Sequence, residues 1–115
     1  MKRPGDVVVV QFPFSDLTQA KMRPALLLGK LPGIHDDWLV CMISSQIRQQ
    51  TTGFDDMIAI DDSDFAESGL KSPSIIRVGR LLVVEGELIP GSIGSISAER
   101  LRRIRDQLAA WLLQA

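Results

Sequence analysis

Lys21-Met22-Arg23-Pro24-Ala25-Leu26-Leu27-Leu28 decides how this chain reads. Proline fixes its own φ and pushes the preceding residue into the extended region, so Arg23 enters the apolar run with its backbone direction set. The run closes at Pro32-Gly33, which predicts a strand over residues 24–31. A cation at the mouth of a buried strand asks for an anion, and a planar guanidinium suits a phosphate.

Working outward, residues 6–12 predict a first strand from a β-branched run that stops at Pro13, which cannot donate to a ladder. Residues 13–22 turn polar and read as a loop of about ten residues, a length often given to binding loops. A third strand is expected over residues 37–45, after the turn Asp36-Asp37, so that the first strands form a meander. Shorter strands are expected near 57–60, at 74–78 and at 81–84, with 90–94 as the last connector. The acidic stretch 61–71 reads as a helical turn or a loop.

The period then changes. Leu101, Ile104, Leu108, Trp111 and Leu112 fall on one face of an amphipathic helix, with Arg100, Arg102, Arg103 and Arg105 mostly elsewhere. Ser97 reads as its N-cap, Glu99 sits in the first turn, and Ile96 can staple to Leu101. Short strands closed by one terminal helix predict a mainly β chain, a small, strongly bent antiparallel barrel with a C-terminal α-helix, forming a single domain over residues 1–115. Full closure would remove the sheet edges.

Hydrophobic residues make up 45% of the 115 residues but fall in runs too short to span a bilayer. Met1-Lys2-Arg3 is followed at once by Pro4-Gly5-Asp6, so no export signal is read and a cytoplasmic protein without membrane attachment is expected. With Cys41 as the single cysteine, neither an internal disulfide nor a thiolate zinc site can form. The net charge of −1 is not that of a protein holding nucleic acid by charge alone. Its distribution is uneven: residues 1–30 sum to +3, 31–70 to −7, 71–96 to +1 and 97–115 to +2. That leaves room for a local basic groove.

Catalytic inventories run short. The chain has one histidine, one cysteine and no tyrosine, and no nucleophile-elbow, metalloprotease or phosphate-loop pattern. His35 lies in a turn and reads as inert. The pairs Asp36-Asp37, Asp55-Asp56 and Asp61-Asp62 read as solvated turn residues rather than a cation site, so no metal and no cofactor is expected. What remains is Arg23 at the start of the second strand and Ser44 or Ser45 at the end of the third, neighbours if the strands form a hairpin. The same residues also fit a plain reading, with Arg23 paired to a surface carboxylate and the serines merely ending a strand.

Four segments, Gly5-Asp6-Val7-Val8-Val9-Val10-Gln11-Phe12-Pro13-Phe14, Arg23-Pro24-Ala25-Leu26, Met42-Ile43-Ser44-Ser45-Gln46 and Ser74-Ile75-Ile76-Arg77-Val78, resemble in order and spacing the MazF/PemK-like toxins of bacterial type II toxin–antitoxin systems. The resemblance runs from about Gly5 to the final helix. It implies an SH3-like barrel, a homodimer, and a metal-independent, sequence-specific endoribonuclease that cleaves single-stranded RNA through 2′-hydroxyl attack. Carried over by position, Arg23 is the catalytic arginine and Ser44 takes the place of a threonine. Phe14, Asp16, Lys21, Ser45, Gln46, Arg77 and Arg80 are then expected to contact substrate, with Phe14 as the base-stacking residue. The family further implies a cognate antitoxin whose tail covers the groove, and contact with DNA only through that antitoxin.

One departure stands out. Two residues after Arg77, where many relatives carry an aspartate, this chain has Gly79 followed by Arg80. A general base would then come from Asp16 or from water. The same departure keeps two alternatives open: a non-catalytic toxin of this fold that binds a protein such as DNA gyrase, as CcdB-type toxins do, and a degenerate RNA-binding barrel.

Overall fold

The computed structural model describes residues 2–13 and 20–114. β1 (Asp6–Pro13), β2 (Ala20–Lys30) and β3 (Asp37–Ser44) form the expected meander. Val7 faces Leu26 and Val10 faces Arg23 across β1 and β2, and Leu26 faces Cys41 across β2 and β3. The β1–β2 ladder continues to Pro13 opposite Ala20, so residues 13 and 20–22 of the expected ten-residue loop belong to strands, while residues 14–19 lie outside the described residues.

β4 (Asp56–Ile58) pairs with β5 (Ser74–Glu85), and β6 (Ser92–Ser95) pairs with β1, giving a curled antiparallel sheet in the order β4-β5-β3-β2-β1-β6. Two strand assignments need correction. The strands expected at 74–78 and 81–84 are one, because the apparent break at Gly79-Arg80 is a bulge. Met42 pairs with Arg77 and the next residue back, Cys41, pairs with Leu81, so residues 78–80 swell out of the ladder and bend the strand. The connector expected at 90–94 overlaps β6, whose pairing to β1 overrides the poor strand propensity of Gly and Ser.

The sheet is mainly a half-barrel. Among the described residues β4 and β6 remain edges, so the closure expected from sequence is not made by hydrogen bonds. The short α1 (Phe65–Ser68) lies against β6 instead. Gly69, with φ of +74°, ends α1 where a Cβ would strike the backbone of Ile93, so the close approach of helix and strand requires glycine there.

Strand alternation gives the sheet two cores. Val7, Leu26, Cys41, Ile43, Ile76 and Val78 bury one face beneath Ile104 and Leu108 of α2 (Ala98–Gln114). Val8, Val10, Ala25, Leu27, Trp38, Val40 and Val84 bury the other face. Ser97 caps α2 as expected, its Oγ accepting the Arg100 N–H at 3.1 Å. The apolar stripe is shorter than the period suggests, since Trp111 and Leu112 are exposed. No helix among the described residues is long and apolar enough to cross a membrane.

The charged residues of α2 hold a second correction. Arg100 does not point to solvent but is buried, and its five N–H groups make five hydrogen bonds: Nε to Asp64, Nη1 to Asp56 and the Met57 carbonyl, and Nη2 to Asp62 and Asp64. Arg103 grips Asp56 through two nitrogens at 2.8 and 3.1 Å. Asp55 and Asp56 are therefore buried partners of arginine and backbone, not the solvated turn residues that sequence suggests, and Asp64 is buried with them. Hydrogen bonding from Arg100, against the opposing effect of burial, holds the Asp64 carboxyl down at about 2.

Candidate functional site

The face of the sheet away from α2 carries the site. Odd and even positions separate on a strand, so Phe12, Arg23, Met42 and Arg77 share the face of Val8, Ala25 and Val40. At the end of the sheet where β2 and β3 part, these four strands enclose a cleft of about 550 Å³. Arg23, Arg77 and Arg80 line it, with Phe12, Met42 and Leu82 as apolar floor and Gln49 and Gly79 at its side.

Each arginine is presented differently. Arg23, half-buried, sits where Pro24 forces the extended backbone, opposite Val10. Arg77 stands on β5 immediately before the bulge, its Nε 3.2 Å from Asp55 Oδ2 and its Nη1 donating to Gln49 Oε1 at 3.1 Å. Arg80 lies on the bulge itself and is exposed. A Cβ at Gly79 would come 3.1 Å from the Phe54 ring, tighter than ordinary contact, so the position just before Arg80 has little spare room.

Asp55 is the fixed point beneath Arg77. Its side chain is 3% exposed, Oδ1 accepts the Val78 N–H at 3.1 Å and Oδ2 accepts the Thr51 N–H at 2.9 Å. Nearby, burial first and then the Asp55 charge push the Cys41 thiol far up, leaving it protonated and inert.

The hydroxyl stands apart from this cleft. The last pair between β2 and β3 is Ala25 with Met42, and two more steps of that register would set Arg23 opposite Ser44, but the ladder ends first. Ser44 is half-buried at the same end of the sheet, its Oγ accepting the Gln46 N–H at 3.1 Å. Lys21, Ser45 and Gln46 are exposed around the same end and outside the cleft lining. Phe14 and Asp16 lie outside the described residues.

A cavity of about 640 Å³ near His35 is larger, but Asp36, Asp37, Glu85 and Glu87 line it, which is the wrong charge for a phosphate. Sequence reasoning reached Arg23, Arg77 and Arg80 but missed Asp55 and Gln49. Their one signal is the uneven charge: a segment at −7 next to basic ones needs partners, and Arg77 is one of them.

Comparisons with known proteins bear on the fold and the family. In fold the chain is similar to the Mycobacterium tuberculosis toxin MazF-mt6, with a TM-score of 0.66, 18% identity and 94% of each chain covered. Among curated proteins, none matches the chain in sequence. Residues 3–112 match the model of the family described as PemK-like, MazF-like toxin of type II toxin-antitoxin system. A match over nearly the whole chain settles the family, and the protein belongs to the PemK-like, MazF-like toxins of type II toxin–antitoxin systems.

Proposed function

We propose that the protein is the toxin of a type II toxin–antitoxin pair and acts as an endoribonuclease on single-stranded RNA. The observation that carries this reading is the convergence of Arg23, Arg77 and Arg80 on one open cleft in a chain whose net charge is −1. Cationic groups gathered in one place on an otherwise slightly acidic protein match a phosphodiester.

In the reaction the substrate 2′-oxygen attacks the adjacent phosphorus, the bond from phosphorus to the 5′-oxygen breaks, and a 2′,3′-cyclic phosphate and a 5′-hydroxyl result. The 2′-hydroxyl proton leaves to a base or water, and one proton goes to the departing 5′-oxygen. Charge grows on the phosphoryl oxygens in the transition state, where preorganised guanidinium groups stabilise it most. Arg23 and Arg77 supply that stabilisation from opposite sides of the cleft. Ser44, at the same end of the sheet but outside the cleft lining, has its oxygen oriented by the Gln46 amide and retains its own proton to donate to a phosphate of the bound strand. Lys21, Arg80, Ser45 and Gln46 guide the strand on either side, with Phe14 and Asp16 contributing from residues 14–19.

The test is incubation with single-stranded RNA in the presence of EDTA. Cleavage to cyclic-phosphate ends is expected, slowed on the order of a hundredfold in Arg23→Ala. Absent cleavage, or cleavage unchanged in that variant, overturns the reading. The lack of a carboxylate or histidine in the described lining favours one alternative, a toxin that binds without turnover. In that case RNA is retained intact, and a pull-down of DNA gyrase distinguishes a protein target from RNA.

Family membership implies an antitoxin partner, and we infer that the free toxin is a homodimer in the cytoplasm. Trp111, Leu112 and Leu113 leave apolar surface exposed at the end of α2, which burial between copies would cover. Sedimentation at micromolar concentration is expected to give twice the 12.7 kDa chain mass, and a monomer alone contradicts it.

A further inference from the structure

We propose that Asp55 is a positioning residue: it holds the Arg77 guanidinium in the cleft and fixes the bulge that carries it. This rests on the endoribonuclease reading of the cleft and deepens it. Residues 78–80 have no partner on β3, since the ladder passes from Arg77 opposite Met42 to Leu81 opposite Cys41. Val78 is nevertheless fully buried, and its N–H would be left without an acceptor. Asp55 Oδ1 supplies one, at 3.1 Å, across 23 residues of sequence.

The other carboxylate oxygen does two further things. Oδ2 accepts the Thr51 N–H at 2.9 Å and lies 3.2 Å from Arg77 Nε. Asp55 therefore cannot turn away from Arg77 without surrendering two backbone amides, one of them buried. Gln49 takes one Nη1 hydrogen, while Nη2 has no acceptor among the described residues and the side chain keeps 15% of its surface open to the cleft. Nε and one Nη1 hydrogen are engaged and the Nη2 hydrogens are left for a phosphate, which is preorganisation of a flexible side chain before substrate arrives. Asp55 touches no reacting atom and acts only through Arg77.

Two measurements on the intact protein test this. In ¹⁵N NMR of the wild type, the Arg77 Nε–H is expected to exchange with water at least about tenfold more slowly than that of exposed Arg102. Equal exchange overturns the proposal without any variant. In steady-state RNA cleavage, Asp55→Asn, which keeps an oxygen for the Val78 N–H but loses the charge, is expected to lower kcat about tenfold with KM changed less than about threefold. In an Arg77→Ala background the same substitution is expected to cost less than about twofold, because the two residues act as one unit. Additive losses overturn the proposal. Partial recovery in Asp55→Glu supports it, and if Asp55→Asn fails to fold the exchange measurement decides alone. A wild type that binds RNA without cleaving it refutes the endoribonuclease reading, and the same double-variant comparison made on RNA affinity then decides the role of Asp55.

Discussion

Arg100 shows how a single side chain can organise a small protein. Five N–H groups reach three aspartates and a carbonyl, and the residue sits in the first turn of α2 while its partners lie 36 to 44 positions away. Such a group is tolerated inside only because its whole fork is satisfied. The pH dependence follows from Asp64, whose folded value of about 2 lies below the ordinary 3.8 because Arg100 donates to it. A depressed carboxyl contributes stability that is present above the unfolded value and is lost as pH falls from there through about 2. The contribution is about 2 kcal/mol. Urea midpoints at pH 7, 4 and 2 are expected to fall mainly in the last interval, and Asp64→Asn is expected to flatten that fall. A helical wheel could not show this, because it sorts Arg100 with its charged neighbours and is blind to acids far along the chain. Arg23, by contrast, was legible because Pro24 is adjacent and the constraint is local.

At the scale of elements the same division between local and distant holds. The start of α2 was readable from Ser97 and Ile96, since a cap and a staple act within five residues. Ser97→Ala is expected to cost about 1 kcal/mol. The Ser97 backbone N–H still donates to Asp64 at 3.0 Å in that variant, so the loss belongs to the Oγ contact with the Arg100 amide. Faster amide exchange confined to the first turn, with the urea midpoint lowered, is the result to look for; an unchanged midpoint would mean that Asp64 alone fixes this end. β5 was misread as two strands because Gly79-Arg80 carries every local mark of a turn. What keeps the strand whole is a buried carboxylate on another segment, and no rule about neighbouring residues reports that. β6 was missed for the complementary reason: its composition is that of a connector, and only β1 makes it a strand.

The whole molecule separates two uses of arginine by face. Under α2, Arg100 and Arg103 are consumed by Asp56, Asp62 and Asp64, and the charge of the acidic middle segment is neutralised inside the structure. Across the sheet, Arg77 and Arg80 share a cleft with Arg23. A net charge of −1 therefore hides a basic site, because the acids that balance it lie mostly on other surfaces. The barrel was legible in outline from short runs and one terminal helix; its incomplete closure was not, since α1 rather than β4 lies against the edge strand β6. The arrangement makes RNA binding local and countable. If Arg23, Arg77 and Arg80 each neutralise one phosphate of a single strand, log affinity should fall with log salt at a slope of about −2. Arg80 is exposed and on the bulge, so Arg80→Ala is expected to reduce the slope by about 0.7 without disturbing the core. Arg102, ion-paired with Asp106 on the exposed side of α2, serves as the control, and Arg102→Ala should leave the slope unchanged. A slope near zero, or one that responds to Arg102 rather than Arg80, would place the nucleic acid on a different face and take the cleft with it.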